Sequence, residues 1–167
     1  MSAFVIDEFV LAARHGELDE VKAMLELDGA DINAVNDYGN AALHMACANS
    51  ELEVVAFLLE KGANVNLPNS SGNTPLHWAS LVGSVEAVKL LLAAGASASP
   101  RNFAERTPLK EALDHQHFGV CDLIVEAPQF SKAEENYQES GDEGDDADMG
   151  ADDDDEDDDA EYIPANQ

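Results

Sequence analysis

The chain contains few positive charges. Only 8 of its 167 residues are lysine or arginine, whereas 35 are aspartate or glutamate, and the formal net charge is −27. Nucleic-acid binding requires clustered cations that neutralise phosphates, and binding to an anionic membrane surface requires them too. We therefore predict that neither a nucleic acid nor a membrane is a direct partner.

Motifs of catalysis and of cofactor binding are also missing. The sequence has no glycine-rich phosphate loop, no nucleophile elbow and no His-Glu-x-x-His motif. Its acidic residues concentrate in a tail that cannot hold two carboxylates at a fixed distance. No pair of cysteines completes a zinc site with His44 and His77. We predict a protein that is not an enzyme and that uses no cofactor or metal.

Signals for secretion and for membrane insertion are missing as well. The apolar start of the chain is followed at once by Asp7 and Glu8, and no apolar run reaches membrane length. Cys47 and Cys121 occupy small apolar positions far apart in the chain, which predicts two buried thiols without a disulfide. These features predict a reducing compartment, and hence a cytoplasmic and nuclear protein.

A short sequence recurs with a fixed period. Leu-His-Met-Ala at 43–46 returns as Leu-His-Trp-Ala at 76–79 and, altered, as Leu-Lys-Glu-Ala at 109–112, each time 33 residues later. A constant period of this length indicates a solenoid whose units stack on one another. A stack of this kind presents an extended surface, which favours a binding protein over an enzyme.

The clearest unit spans residues 72–98. Thr74 and Pro75 suit the first turn of a helix, and Gly83 suits its end. Apolar residues at helical spacing then indicate a second helix, which Gly95 ends. With its Gly-Asn-Thr-Pro-Leu-His opening, the unit resembles the ankyrin repeat. That resemblance implies an all-α solenoid of four helix-turn-helix repeats with short β-hairpin fingers, and a structural role for the repeated histidine.

The charge distribution divides the chain into two regions. Residues 1–127 carry 18 acidic and 7 basic residues, and we predict that they form the repeat domain. Residues 128–167 carry 17 acidic residues and one basic residue, and such a dense run of like charge predicts a disordered acidic tail. The predicted repeats lie at about 4–35, 36–68, 69–101 and 102–127, and the two outer repeats depart furthest from the pattern.

The tail contains an acidic arm of eight consecutive acidic residues. We interpret this arm as a binding element for a basic partner, although a purely solubilising tail is the alternative. Ser140 precedes Glu143 by three residues, which resembles an acid-directed kinase site and makes Ser140 a candidate phosphosite. The arm consists of Asp152, Asp153, Asp154, Asp155, Glu156, Asp157, Asp158 and Asp159.

The resemblance also implies where a partner binds. In ankyrin proteins, the finger tips and the first helix of each repeat contact the partner. Tyr38 and Phe103 fall on finger tips, where exposed aromatic residues are typical interface anchors, and packing against a neighbouring finger is the alternative. Leu81 and Val82 predict an apolar patch in the groove. The implied partner-binding residues are Asp37, Tyr38, Asn40, Met45, Ala48, Asn49, Ser70, Ser71, Asn73, Trp78, Leu81, Val82, Phe103, Arg106 and Asp114.

Size, charge and repeat number together resemble the small acidic fungal ankyrin-repeat chaperones of small-subunit ribosomal protein three. This resemblance implies a basic ribosomal protein as the partner, whose RNA-binding face the chain covers. Two other functions stay open: an adaptor or inhibitor of a kinase or transcription factor, and a histone-binding acidic chaperone. We expect a monomer.

Overall fold

The computed structural model describes residues 3–27 and 30–128, and the fold within these ranges is all-α. Eight helices form four helix-turn-helix units, and no continuous strand occurs among the described residues, so the predicted all-α solenoid is confirmed. The acidic tail from residue 129 onward, with Ser140 and the arm at 152–159, lies outside the described residues. The helices are α1 (Ala3–Arg14), α2 (Leu18–Leu25), α3 (Ala42–Ala48), α4 (Leu52–Glu60), α5 (Pro75–Val82), α6 (Val85–Ala93), α7 (Pro108–Asp114) and α8 (Phe118–Glu126).

The helices stack in two layers. The first helices of the units, α1, α3, α5 and α7, contact one another in order and form the inner layer. The second helices, α2, α4, α6 and α8, form the outer layer in the same way. One continuous apolar core lies between the layers, so each unit depends on its neighbours for burial. The largest buried apolar side chains of this core are Phe9, Leu43, Leu58, Leu76, Leu91 and Ile124.

Both cysteines belong to this core. Cys47 and Cys121 are buried and unpaired with each other, as predicted. Burial raises the pKa of the Cys47 thiol well above its usual range, because the thiolate would lose its hydration. The two residues therefore act as small apolar groups in the packing.

The inner helices begin as their sequences predict. Thr74 and Thr107 are the N-cap residues of α5 and α7, and a proline follows each of them inside the helix. The Thr107 hydroxyl accepts a hydrogen bond from the Lys110 backbone N–H at 3.2 Å. Proline fits this position because its missing N–H would have no partner inside the helix.

The inner helices end in left-handed residues. Gly83 is the C-cap of α5 with φ of 73°, which confirms the predicted helix end. Ser50 and Gln116 occupy the equivalent positions after α3 and α7 with φ of 59° and 61°. Non-glycine residues are uncommon in this conformation, so the turn between the two helices of a unit is imposed by packing and not by glycine alone.

The fingers between units are turns closed by backbone hydrogen bonds. The N–H of Asn36 donates to the Asn40 carbonyl at 3.1 Å, and that of Asn69 donates to the Asn73 carbonyl at 2.9 Å. The one extended pairing in the described chain is an isolated antiparallel bridge between Val35 and Ala41. Each finger is therefore a compact hairpin-like turn with very little strand.

Candidate partner-binding surface

An asparagine that recurs every 33 residues organises each finger. Asn36, Asn69 and Asn102 each accept two backbone N–H groups of their own finger through the side-chain Oδ1, at 2.9 to 3.1 Å. The side-chain Nδ2 of Asn69 donates to Asn40 Oδ1 of the preceding finger at 2.8 Å. Asn102 Nδ2 donates to Asn73 Oδ1 in the same way, also at 2.8 Å. These bonds form an asparagine ladder that holds successive fingers in register.

The ladder includes two of the residues that the sequence predicted to bind a partner. The sequence predicted that Asn40 and Asn73 face a partner, but Asn40 is buried and Asn73 is half-buried. Their side-chain carbonyls are already occupied by the next finger. Both residues therefore hold successive fingers together, and their role in binding a partner stays a prediction.

The repeated histidines tie each inner helix to the next finger. Nδ1 of His44 accepts the Ala41 backbone N–H at 3.1 Å, and Nδ1 of His77 accepts the Thr74 N–H at 3.1 Å. The Nε2–H of His44 therefore donates to the Leu67 carbonyl at 2.8 Å, and that of His77 donates to the Arg106 carbonyl at 3.0 Å. These contacts confirm the structural role that the resemblance implied.

Burial keeps both imidazoles neutral. Loss of hydration lowers the pKa of His44 from 6.5 to about 4, and burial lowers the pKa of His77 as well. Both ring nitrogens of each histidine have hydrogen-bond partners. Within residues 3–27 and 30–128, no group of three or more metal-ligating side chains comes together.

The finger tips present two exposed aromatic rings. Tyr38 is 75% exposed and Phe103 is 81% exposed, so packing on a neighbouring finger buries neither ring. The Ser70 N–H donates to the Tyr38 carbonyl at 3.1 Å, and the Phe103 N–H donates to the Ser71 carbonyl at 3.0 Å. The two rings therefore flank the finger that carries Ser70 and Ser71, about 20 Å apart given the usual spacing of packed helices. Asp37, Ser70 and Ser71 are exposed beside them.

The inner helices contribute a less exposed surface. Met45, Ala48, Trp78 and Leu81 are half-buried, whereas Asn49 and Val82 are exposed. The predicted apolar patch thus consists of Val82 with the accessible parts of Leu81 and Trp78. The buried indole Nε1 of Trp78 has no hydrogen-bond partner. A cavity of about 30 Å³, whose lining includes Trp78, Leu81 and Glu111, can hold one water molecule.

A charged network lies at the base of the fourth finger. The Arg106 guanidinium contacts Glu111 at 3.1 Å and Asp114 at 3.3 Å, and Lys110 also pairs with Asp114. The hydrogen bond from Lys110 and the charge of Lys110, followed by the charge of Arg106, lower the pKa of the Asp114 carboxyl. Arg106 and Asp114, two predicted partner-binding residues, therefore already neutralise each other in the unbound protein.

Glu111 is a member of this network that sequence reasoning missed. It is buried, and it accepts a hydrogen bond from Asn102 Nδ2 at 3.2 Å as well as the contact from Arg106. Glu111 stands one period after Trp78 and two periods after Met45, both of which were predicted as site residues. The repeat period alone therefore relates Glu111 to two predicted residues, but its contacts with Asn102 and Arg106 appear only in the packed structure.

The comparison with known families agrees with this architecture. The sequence model for ankyrin repeats (3 copies) matches residues 9–102 and 68–137. The chain belongs to the ankyrin-repeat family, and it is therefore a protein–protein interaction module. Of the helices in the described ranges, none is long and apolar enough to cross a membrane.

One curated protein with a similar segment is the palmitoyltransferase akr1 of Schizosaccharomyces pombe. The two sequences are 43% identical over 49 residues, which is 29% of this chain and 8% of that protein. The chain therefore spans less than a tenth of its relative. The similar segment lies in the repeat region, so it agrees with the family assignment. It is no evidence for transferase activity in this chain.

Proposed function

We propose that the chain is a dedicated chaperone that escorts a basic ribosomal protein and shields its RNA-binding surface during small-subunit assembly. The observation that carries this proposal is the charge, because 35 acidic residues accompany only 8 basic ones on a stacked interaction module. A newly made ribosomal protein exposes cations that later bind RNA. An anionic surface can occupy them reversibly until RNA, a denser polyanion, displaces it.

The exposed finger tips supply the apolar part of the proposed contact. Tyr38 and Phe103 are large, exposed rings held at a defined separation by bonds between fingers, which suits them as interface anchors. Asp37 adds an exposed carboxylate beside Tyr38. We infer that a basic polypeptide with apolar residues on one side binds across these fingers, while the acidic arm supplies most of the long-range attraction.

The proposal extends to location and assembly state. An escort acts where its partner is made and where the ribosomal subunit begins to form, so we propose action in both the cytoplasm and the nucleus. A surface that covers one partner molecule needs one chain, so we propose a monomer. Sedimentation of the purified chain tests the assembly state, and a stable dimer would contradict it.

The proposed function is tested by binding to a purified basic small-subunit ribosomal protein. We expect Kd measured by calorimetry to rise at least about tenfold between 0.1 and 0.4 M salt, because salt screens the attraction. Tyr38→Ser and Phe103→Ser should each weaken binding about tenfold or more. Phe118→Ser is the matched control, because it removes an exposed ring from the outer layer, away from the fingers. Absence of binding at near-physiological salt would refute the proposal.

An adaptor or inhibitor of a kinase or transcription factor is the second candidate. The exposure of Tyr38 and Phe103 favours it, since apolar anchors need no charged partner. Binding of such a partner should change little with salt, yet it should remain sensitive to both finger-tip variants.

A histone-binding chaperone is the third candidate, and the eight consecutive acidic residues favour it. In that case, deletion of residues 140–161 should abolish binding to any basic protein. For the proposed chaperone, the deletion should weaken binding and leave a specific complex that depends on Tyr38 and Phe103.

A further inference from the structure

The groove changes from apolar to ionic at the fourth unit. One period earlier, Trp78 stands at the position of Glu111, and Leu81 stands at the position of Asp114. The two acidic residues are three positions apart on α7, so their side chains lie on the same side of the helix. The Glu111 side chain is only 9% exposed. We call Glu111 and Asp114 the carboxylate pair.

One guanidinium bridges the carboxylate pair. Nη1 of Arg106 lies 3.1 Å from Oε2 of Glu111, and Nη2 of Arg106 lies 3.3 Å from Oδ2 of Asp114. The remaining oxygen of Glu111 accepts a hydrogen bond from Asn102 Nδ2 at 3.2 Å, and that of Asp114 accepts one from Lys110. A planar, forked guanidinium can span two carboxylates in this way, whereas an ammonium is a point charge. The geometry of the pair therefore favours arginine over lysine.

The backbone of Arg106, and not its side chain, holds the fourth finger closed. Its N–H donates to Asn102 Oδ1 at 3.0 Å, and its carbonyl accepts the Asn102 N–H at 2.9 Å and the His77 Nε2–H at 3.0 Å. The equivalent residues of the two preceding fingers, Asn40 and Asn73, each accept a hydrogen bond from the following finger. No finger follows Arg106 within the described residues, so its side chain, which is 40% exposed, has no place in the ladder.

The carboxylate pair requires a cation. A carboxylate as buried as that of Glu111 destabilises the fold unless a cation or several hydrogen-bond donors accompany it. The Arg106 side chain can therefore leave the pair readily only when another cation takes its place. Trp78 and Leu81 line a cavity together with Glu111, and both are half-buried. They provide apolar surface for the methylene groups of an incoming arginine.

We propose that the carboxylate pair binds one arginine side chain of a basic protein partner, and that Arg106 occupies this site in the unbound chain. The identity of the partner rests on the proposed function, whereas the affinity of the pair for a guanidinium does not. Charge complementarity supports this occupant, because the exchange of one guanidinium for another leaves no buried carboxylate unpaired. Arg106 competes with the partner and thereby lowers the apparent affinity for it.

The site is tested first without a protein partner, in the full chain. The chain contains one tryptophan, so the indole N–H of Trp78 gives a unique NMR resonance. N-acetyl-arginine methylamide should shift this resonance saturably in Arg106→Gln, and it should bind the wild type about fivefold more weakly, because Arg106 competes. Arg106→Lys keeps a charge beside the buried carboxylate, so it should differ from the wild type in the same direction by a smaller factor.

Two comparisons establish which groups bind the probe. N-acetyl-lysine methylamide should bind Arg106→Gln about fivefold more weakly than the arginine probe, because it has no fork. Adding Glu111→Gln to Arg106→Gln should abolish the response, whereas adding Glu105→Gln, which removes an exposed carboxylate of the same finger, should preserve it. No saturable shift in Arg106→Gln, equal affinities for the two probes, or a response that survives Glu111→Gln would overturn the site.

The competition by Arg106 is tested with a purified basic small-subunit ribosomal protein. Arg106→Gln should bind it about fivefold more tightly than Arg101→Gln does. Arg101→Gln is the matched control, because it removes an equal charge next to the same finger, where Arg101 lies 3.8 Å from the exposed Glu105. The two variants therefore gain the same long-range attraction, and their difference in Kd reports the competition at the carboxylate pair.

The outcomes separate this inference from the proposed function. Equal affinities of Arg106→Gln and Arg101→Gln, or weaker binding by Arg106→Gln, would overturn the competition by Arg106. No binding by the wild type or by either variant would refute the chaperone proposal and, with it, the assignment of the partner. A saturable response to the arginine probe would then still support the carboxylate pair as a guanidinium site.

Discussion

The cost in stability of replacing a glycine in the left-handed conformation depends on which atoms lie beside it. A Cβ on Gly83 would stand 2.5 Å from the Nδ1 atom of His117, in the next unit. Gly95 has φ of 88°, but no atom lies within 4 Å of the position that a Cβ would take, so only backbone strain opposes a side chain there. Ser50 adopts the conformation of Gly83 one unit earlier, where the residue equivalent to His117 is the small Ser84.

This contrast yields a matched pair of variants. Gly95→Ala should lower the free energy of unfolding by about 1 kcal/mol, the typical cost of a left-handed alanine. Gly83→Ala should lower it by roughly 2 to 3 kcal/mol, because either His117 or the backbone must also move. Urea denaturation measures both values. Equal losses for the two variants would show that the contact with His117 is unimportant.

The buried histidines predict a pH dependence of stability. The pKa of His44 is lowered to about 4 in the folded chain, whereas the unfolded ring takes up a proton near pH 6.5. The contribution of His44 to the free energy of unfolding is therefore fully present above pH 6.5. It is lost as the pH falls towards 4, and the total loss for this residue is roughly 3 kcal/mol. His77 contributes in the same direction.

The measurement is a titration of the His44 ring by NMR, combined with urea denaturation between pH 7.5 and 5. The ring should stay neutral at pH 5 while the free energy of unfolding decreases. A titration midpoint near pH 6.5 would contradict the prediction, because it would mean that the imidazolium is accommodated in the folded state.

At the scale of elements, the fingers behave as one ladder and not as independent loops. Asn69 accepts the N–H groups of Ser71 and Asn73 at 2.9 Å, and it donates to Asn40 at 2.8 Å. A single side chain thus shapes its own finger and joins it to the preceding one. Loss of one rung should therefore loosen two fingers together.

Asn69→Ala tests this coupling. We expect a loss of roughly 2 kcal/mol of stability, since three hydrogen bonds disappear and the buried Asn40 side chain loses its partner. Amide exchange should become faster in the finger at 36–40 as well as in the finger at 69–73. Asn49→Ala is the control, because the exposed Asn49 side chain bonds only the Met45 carbonyl within its own unit. Faster exchange confined to residues 69–73 would contradict the ladder.

At the scale of the whole molecule, repulsion among the acidic side chains destabilises the folded state. Residues 1–127 carry 18 acidic and only 7 basic residues, and several of the basic ones are already engaged in local ion pairs. Repulsion among the remaining carboxylates extends over about 30 Å at 0.01 M salt and over about 3 Å at 1 M. The folded stack is therefore least stable at low ionic strength.

We expect the thermal midpoint of the unbound chain to rise by a few degrees between 0.01 and 0.5 M NaCl. Calorimetry measures the shift, and KCl at equal ionic strength is the control, because screening does not depend on the identity of the cation. A midpoint that stays constant or falls with salt would show that the acidic surface is already neutralised within the fold.

The repeat period by itself determined the helix pairs, their starts at Thr74 and Thr107, the turn at Gly83 and the burial of both cysteines. These features depend on local backbone preferences and on the spacing of apolar residues, and both can be read from residues that are close together in the sequence. The exposure of Tyr38 and Phe103 at finger tips also follows from their place in the repeat.

Only the tertiary structure decided how the fingers and their neighbours share their polar groups. It placed Asn40 and Asn73 in the ladder, joined Arg106 to Glu111 and Asp114, and set His117 against Gly83. Each of these contacts joins different turns or units. The sequence pattern of one repeat does not predict which of its polar atoms will form hydrogen bonds with the next repeat. The physical reason is that a stacked repeat completes its hydrogen bonds with its neighbour, so these roles exist only once the units are packed.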